Sequence, residues 1–149
     1  MTIRKLGAGD DVTSAIDLLC RFFAEEGFPT EASVIAAHVR KMQQLETCGI
    51  FLAEQGDEAI GVATVSLEFG IEYGWWAEMG DLYVLPKHRG QGHSRALVAA
   101  AEKFLGERGA AGYQVTVTPY AQDHHNLKEF YDALGFESEG RLILRKNLR

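Results

Sequence analysis

One stretch constrains the fold of this chain more than any other: Leu82-Tyr83-Val84-Leu85-Pro86-Lys87-His88-Arg89-Gly90-Gln91-Gly92-His93-Ser94-Arg95-Ala96-Leu97-Val98. It opens with apolar, strand-prone residues that Pro86 stops, and it closes with small and apolar residues that suit a helix. Between them lies a glycine-rich turn flanked by Lys87, His88, Arg89 and Arg95. Gly90 and Gly92 let the backbone approach a ligand closely. The N–H groups that open the following helix have no acceptors of their own, so the turn favours an anion. The stretch predicts a strand, a phosphate cradle and a helix in succession.

The rest of the chain reads as regular elements on either side of this unit. Thr2 to Leu6 suits a short strand, and Gly7, Gly9, Asp10 and Asp11 supply turn and cap chemistry. Apolar residues at helical spacing predict a helix from Val12 to about Glu25, stopped by Gly27 and Pro29, and a second one opening at Thr30 and Glu31. Gly49 to Glu54 and Ala59 to Leu67 read as a hairpin, followed by a loop from Glu68 to Gly74 and a long strand from Trp75 to Val84. Gly80 inside that strand predicts a bulge. After the cradle come a helix from Arg95 to Leu105, a strand from Tyr113 to Thr118, and a helix from about His125 to Leu134. Two closing strands are expected, Phe136 to Gly140 and Arg141 to Asn147.

A length of 149 residues with no linker predicts a single domain, 1–149. No apolar run reaches the roughly 18 residues of a membrane span, and the N-terminus lacks the apolar core of a signal peptide, so the expected compartment is the cytoplasm. Cys20 and Cys48 are isolated and the five histidines form no ligand set, so no metal is expected. A net charge of −6 argues against nucleic acid as a partner and admits a cationic substrate.

Arg89-Gly90-Gln91-Gly92-His93-Ser94 resembles the Arg/Gln-x-x-Gly-x-Gly/Ala signature of the Gcn5-related N-acetyltransferase (GNAT) superfamily, with Ser94 in place of the last small residue and His93 in place of an aliphatic one. Phe130-Tyr131-Asp132-Ala133-Leu134-Gly135-Phe136 resembles the Phe-Tyr-x-x-Leu-Gly-Phe ending of the same family. The resemblance implies an α/β (α+β) fold with a mixed, mostly antiparallel sheet of about seven strands and about four helices, splayed at strands 4 and 5. It also implies acetyl-coenzyme A (acetyl-CoA) as cosubstrate. The backbone of Leu82, Tyr83 and Val84 is expected to contact it, with Arg89, Gly90, Gln91, Gly92, His93, Ser94 and Arg95 around its pyrophosphate. His124 stands where the family has an Asn seven residues before the Tyr, and Asn126 lies two residues on, so both are candidates for the cofactor.

Such chemistry needs a base, because an acceptor amine resembling lysine has a reference pKa of about 10.4 and arrives protonated. Glu78 is the first candidate and Asp81 the second; the resemblance makes Tyr131 the acid for the departing thiolate. Acidic residues interleaved with aromatic ones before and along the long strand favour a cation, which nominates Glu25, Glu26, Glu72 and Trp76 for the acceptor. The expected activity is direct acetyl transfer to a primary amine of a small cationic acceptor, aminoglycoside- or polyamine-like. The alternatives are a protein or amino-acid acceptor, or an acyl-CoA sensor or scaffold without turnover. No membrane partner is expected, and a homodimer is compatible with the reading.

Overall fold

The computed structural model describes all 149 residues, which form two compact units, Met1–Thr116 and Val117–Arg149. The first holds a five-stranded sheet in the order β1-β2-β3-β4-β5. Its strands are β1 (Thr2–Lys5), β2 (Cys48–Gln55), β3 (Glu58–Gly70), β4 (Gly74–Val84) and β5 (Gly112–Val115), and its helices are α1 (Thr13–Glu26), α2 (Ala32–Gln43) and α3 (His93–Glu107). The first four strands pair antiparallel, and β5 joins β4 in parallel. The mixed sheet expected from the sequence is therefore present. No helix is long and apolar enough to cross a membrane.

Strand alternation sorts the side chains onto two faces. Ile50, Leu52, Val62 and Tyr83 share one face and pack under α1 and α2 through Ala15, Leu18, Leu19, Ile35 and Val39. The opposite face receives α3. Phe51 meets Phe104 edge to face there, with ring centres 5.8 Å apart. Small residues let α3 sit close: a Cβ added at Gly61 would lie 3.1 Å from Leu97 Cδ1 and 3.1 Å from the Tyr83 carbonyl.

β3 runs on through Glu68–Gly70, so the loop expected from Glu68 to Gly74 shrinks to a tight turn at Ile71–Tyr73. Cross-strand pairs such as Phe69 with Trp75 and Glu68 with Trp76 extend the ladder to the hairpin tip. Aromatic side chains on both strands favour that extension.

The second unit departs further from expectation. The single helix expected from His125 is two short ones, α4 (Pro119–His125) and α5 (Leu127–Ala133), broken at Asn126, whose φ is 48°. Asn tolerates this left-handed conformation better than most residues. α4 starts earlier than expected because Thr118 caps it, its hydroxyl oxygen accepting the Ala121 N–H at 3.1 Å, and Pro119 fills the first helical position. The two expected closing strands are absent, which leaves five strands instead of about seven. Residues 136–149 carry no regular element, and Leu142, Ile143, Leu144 and Leu148 are exposed. A lone hairpin is marginal in water, and the adjacent apolar run Leu142-Ile143-Leu144 lacks the alternation that gives a strand one buried face.

Gly61→Val is predicted to lower stability by about 1–3 kcal/mol, because the added methyls press on both Leu97 and the β4 backbone. Urea unfolding followed by circular dichroism measures this. An unchanged midpoint would show that α3 is not seated closely on the sheet.

Candidate active site

The strand, the glycine turn and the helix form in the succession that the sequence predicts. β4 ends at Val84, a short 3-10 turn spans Pro86–His88, and α3 begins at His93. Gly90 and Gly92 have φ of 76° and 84°, the left-handed region that glycine enters freely. No side chain caps α3, and its first internal bond is Ala96 N–H to the Gly92 carbonyl at 3.1 Å. The N–H groups of His93 and Ser94 thus precede the helical ladder, at the positive end of the helix dipole. A Cβ added at Gly90 or Gly92 would meet nothing within 4 Å, so the turn has open space above it. These features fit a diphosphate.

The cationic side chains of the turn are less available than the sequence suggests. Lys87 Nζ lies 3.0 Å and His88 Nε2 3.1 Å from the Glu58 carboxylate, which these partners hold below the usual carboxylate range. Arg89 turns back toward α1. Its Nε donates to the Val84 carbonyl at 2.9 Å, its guanidinium pairs with Glu25 at 2.9 Å, and it lies 5.5 Å from the centre of the Tyr83 ring. The Tyr83 phenol is raised by burial and then by the Glu25 carboxylate. The donors that the turn presents are therefore chiefly its backbone N–H groups, with the exposed Arg95 beside them. His93 is buried, with Nε2 3.3 Å from Gln91 Oε1, whereas Gln91 and Arg95 are exposed and Ser94 is partly buried.

β4 outruns its neighbour. β5 pairs with it only from Trp76 to Met79, so the strands part beyond that point. Leu85 N–H donates to the Ile60 carbonyl at 2.9 Å. Counting back in twos along the antiparallel ladder commits Tyr83 to β3 and turns the amides of Leu82 and Val84 toward the gap. Of the three residues expected to offer backbone groups, the register selects Leu82 and Val84. Arg89 already occupies the Val84 carbonyl.

The predicted bulge decides which carboxylates meet. Thr64 pairs with Asp81 and Val65 with Met79, so Gly80 has no opposite number. In a regular strand, residues 78 and 81 point to opposite faces; the extra residue brings both to the face of Tyr83. Glu78 is exposed and accepts from the Thr116 hydroxyl at 3.1 Å. Asp81 is partly buried and accepts from the Thr64 hydroxyl at 2.5 Å. Burial raises the Asp81 pKa, the Thr64 hydrogen bond opposes that rise, and the Glu78 charge adds to it.

The four residues nominated for the acceptor fall into two groups. Glu25 and Glu26 end α1 near Tyr83 and Arg89, and Glu25 is committed to Arg89. Glu72 lies in the hairpin turn at the other end of β4, and Trp76 stacks on Tyr73 with ring centres 4.5 Å apart while its indole N–H donates to Gln114 at 3.0 Å. Trp76 and Tyr83 are separated by about 20 Å at strand rise, so these residues do not form one cluster. Sequence reasoning missed Thr64, Thr116, Gln114 and Glu58. Thr64 had a signal, as a hydroxyl inside the otherwise apolar run Ala59–Val65; the other three had none.

In the second unit Tyr131 is 5% exposed, with Phe130 and Phe136 at 5.1 and 5.0 Å, and burial pushes its phenol up to about 12. His124 stacks on Tyr120 at 3.9 Å and its Nδ1 lies 2.9 Å from the Tyr120 carbonyl. Asn126 is the left-handed hinge between α4 and α5.

The sequence pattern of the acetyltransferase (GNAT) family matches residues 13–136, which include the cradle, both carboxylates and the Tyr131 motif. The chain belongs to this family. Among solved structures, an integron cassette protein, HFX_CASS3, from the mobile metagenome of Cole Harbour Salt Marsh superposes with a TM-score of 0.83 at 25% identity, covering 99% of this chain and 90% of the other. The aminoglycoside N-acetyltransferase AAC(6')-Iy in complex with CoA gives 0.84 at 20% identity, with 99% and 95% covered. The aminoglycoside acetyltransferase meta-AAC0020, from an uncultured soil metagenomic sample, gives 0.80 at 20% identity, with 99% and 96% covered. No curated protein matches the chain. The family makes the protein an acetyltransferase, and the superpositions show that its fold is the GNAT fold.

A raised acid pKa in the folded state means the protonated form is favoured there. Asp81 therefore costs stability as pH rises from its unfolded pKa, about 3.9, through its folded one, and the cost stays in full above that. Asp81→Asn is predicted to raise the melting temperature at pH 8, with a smaller gain at pH 4. Calorimetric scans at the two pH values check the sign; a larger gain at pH 4 would contradict it.

Proposed function

We propose that this protein transfers the acetyl group of acetyl-CoA directly to a primary amine of a small cationic acceptor of the aminoglycoside or polyamine kind. The observation that carries the reading is the bulge at Gly80, which sets two carboxylates on one face of β4 beside the edge that β5 leaves open. Acetyl-CoA supplies a thioester whose carbonyl the amine attacks. The amides of the Gly90–Ser94 turn would hold its diphosphate, and Leu82 and Val84 would offer backbone groups to its amide chain. His124 and Asn126 remain assigned to the cofactor through the motif alone. The match of one family pattern across both units supports reading residues 1–149 as a single acetyltransferase domain.

Asp81 takes the proton of the arriving ammonium. A base serves best when its pKa approaches the working pH, and burial moves Asp81 in that direction. Glu78, exposed on the same face, attracts and holds the cation. Trp76, stacked on Tyr73, presents an aromatic surface for cation–π contact, with Glu72 at the adjoining turn. Tyr131, raised to about 12, keeps its proton throughout the working range and offers it to the departing sulfur, and the second proton that the amine nitrogen sheds as the amide forms replaces it. The aminoglycoside acetyltransferases AAC(6')-Iy and meta-AAC0020, among the structural neighbours, support an acceptor of this class.

Tyr131→Phe is predicted to lower kcat on the order of 10²-fold while leaving KM for both substrates within about twofold, the pattern of a lost transition-state interaction. Equal losses in kcat and affinity would assign Tyr131 to binding.

The acceptor is tested with a panel of amines, following thiol release at low and high salt. Polyamines and aminoglycosides should be turned over fastest, with KM rising with salt, and Glu78→Gln should raise KM for them and weaken the salt dependence. Preference for neutral or acidic acceptors would sink the cationic reading. Tight acetyl-CoA binding with no turnover on any amine would favour a sensor.

A further inference from the structure

The catalytic face contains one buried polar side chain that the proposed reaction does not use. Thr64 is 2% exposed, in a stretch of β3 where its neighbours Val62, Ala63 and Val65 are also buried. It sits directly opposite Asp81 and is the last residue before the register shift between Thr64 and Val65. Its hydroxyl is 2.5 Å from Asp81 Oδ2, and a Cβ added at Gly80 would lie 3.6 Å from its oxygen. A buried hydroxyl without a partner is costly, so Thr64 and Asp81 each constrain the other.

We propose that Thr64 is a positioning residue, whose hydroxyl holds the Asp81 carboxyl in the orientation that meets the acceptor amine and pins the bulge that brings Asp81 and Glu78 to one face. This rests on the proposed transfer reaction and adds a residue to it. The contact bonds one carboxyl oxygen to β3 and restricts rotation of the group, so the other oxygen keeps a fixed direction. The same bond stabilises the ionised carboxylate against burial, and it therefore keeps Asp81 from being too weakly acidic to act near neutral pH. Other charged or titratable groups of this face are Glu78 and Tyr83 on β4 and Glu68 on β3, with Glu25 and Glu26 at the end of α1 and Arg89, paired with Glu25, against the Tyr83 ring. Glu78 is the one whose charge acts on Asp81 in the direction opposite to Thr64.

Two substitutions separate the hydroxyl from the shape of the side chain. Thr64→Val keeps the branched outline and removes the donor; Thr64→Ser keeps the donor and removes a methyl. Thr64→Ala serves in the first role if valine is not accommodated. The Asp81 carboxyl is followed by its carbon-13 shift against pH in the full chain, and kcat/KM for the best amine is measured over the same range. In Thr64→Val the Asp81 titration should move up by about one pH unit, and the acidic limb of kcat/KM should move with it, so that kcat/KM at a fixed pH on that limb falls about tenfold. Thr64→Ser should stay within about twofold of the unaltered protein and restore the limb. A merely structural role would lower the melting temperature without moving either titration. Normal turnover with an unmoved limb in Thr64→Val overturns the role of Thr64 alone. Absence of turnover by the unaltered protein overturns the transfer reading and this role together.

Discussion

The structure depends on one extra residue in one strand. Gly80 stands opposite no residue of β3, and every functional relation on β4 follows from that slip. On its C-terminal side, Tyr83 continues the face that packs under α1. On its N-terminal side, Glu78 and Trp76 are turned to that same face instead of the one under α3. A regular strand would have hidden Glu78 against α3, where a carboxylate costs several kcal/mol unless it is paired. The bulge thus converts a burial problem into a pair of carboxylates facing one way.

The sheet supplies the second condition. β5 accompanies β4 for four residue pairs and then leaves it. An unpaired strand edge is ordinarily a liability, because free N–H and C=O groups invite another strand. Here the edge adjoins a helix start that carries two left-handed glycines, so a ligand with amides at one end and phosphates at the other matches both features. The helix on the far face packs close to the sheet backbone, because Gly61 on β3 leaves room for Leu97 of α3 beside the Tyr83 carbonyl.

Much of this was legible in the sequence, and the failures have physical causes. The strand–cradle–helix unit was readable because proline, glycine and apolar periodicity act locally. The bulge was readable from a glycine inside an apolar strand. Whether Asp81 or Glu78 faced the cleft was not, because the direction of a register shift depends on the partner strand. The same applies to Arg89, whose charge appeared assigned to an anion until the fold brought Glu25 beside it from 64 positions away. That pairing cannot be seen along the chain. The closing strands failed for a further reason: hydrophobicity alone marks a segment as strand-like, but a strand exists only where its backbone has a partner. Thr118-Pro119 is a readable helix start, but the polar run after it reads equally as a loop.

The two tryptophans of the chain are adjacent on β4, and alternation sends them to opposite faces. Trp75 is 38% exposed and meets Phe69 edge to face. Trp76 is held by Tyr73, by Gln114 and by the bare backbone of Gly112, where an added Cβ would come within 2.6 Å of its ring. One strand therefore carries two indoles in unlike surroundings, one partly in water against Phe69 and one clamped on the face that also bears Glu78 and Asp81. Intrinsic emission divides into a component indifferent to that face and a component that belongs to it. The protein carries a built-in optical reporter of the face that bears the two carboxylates, which needs no label.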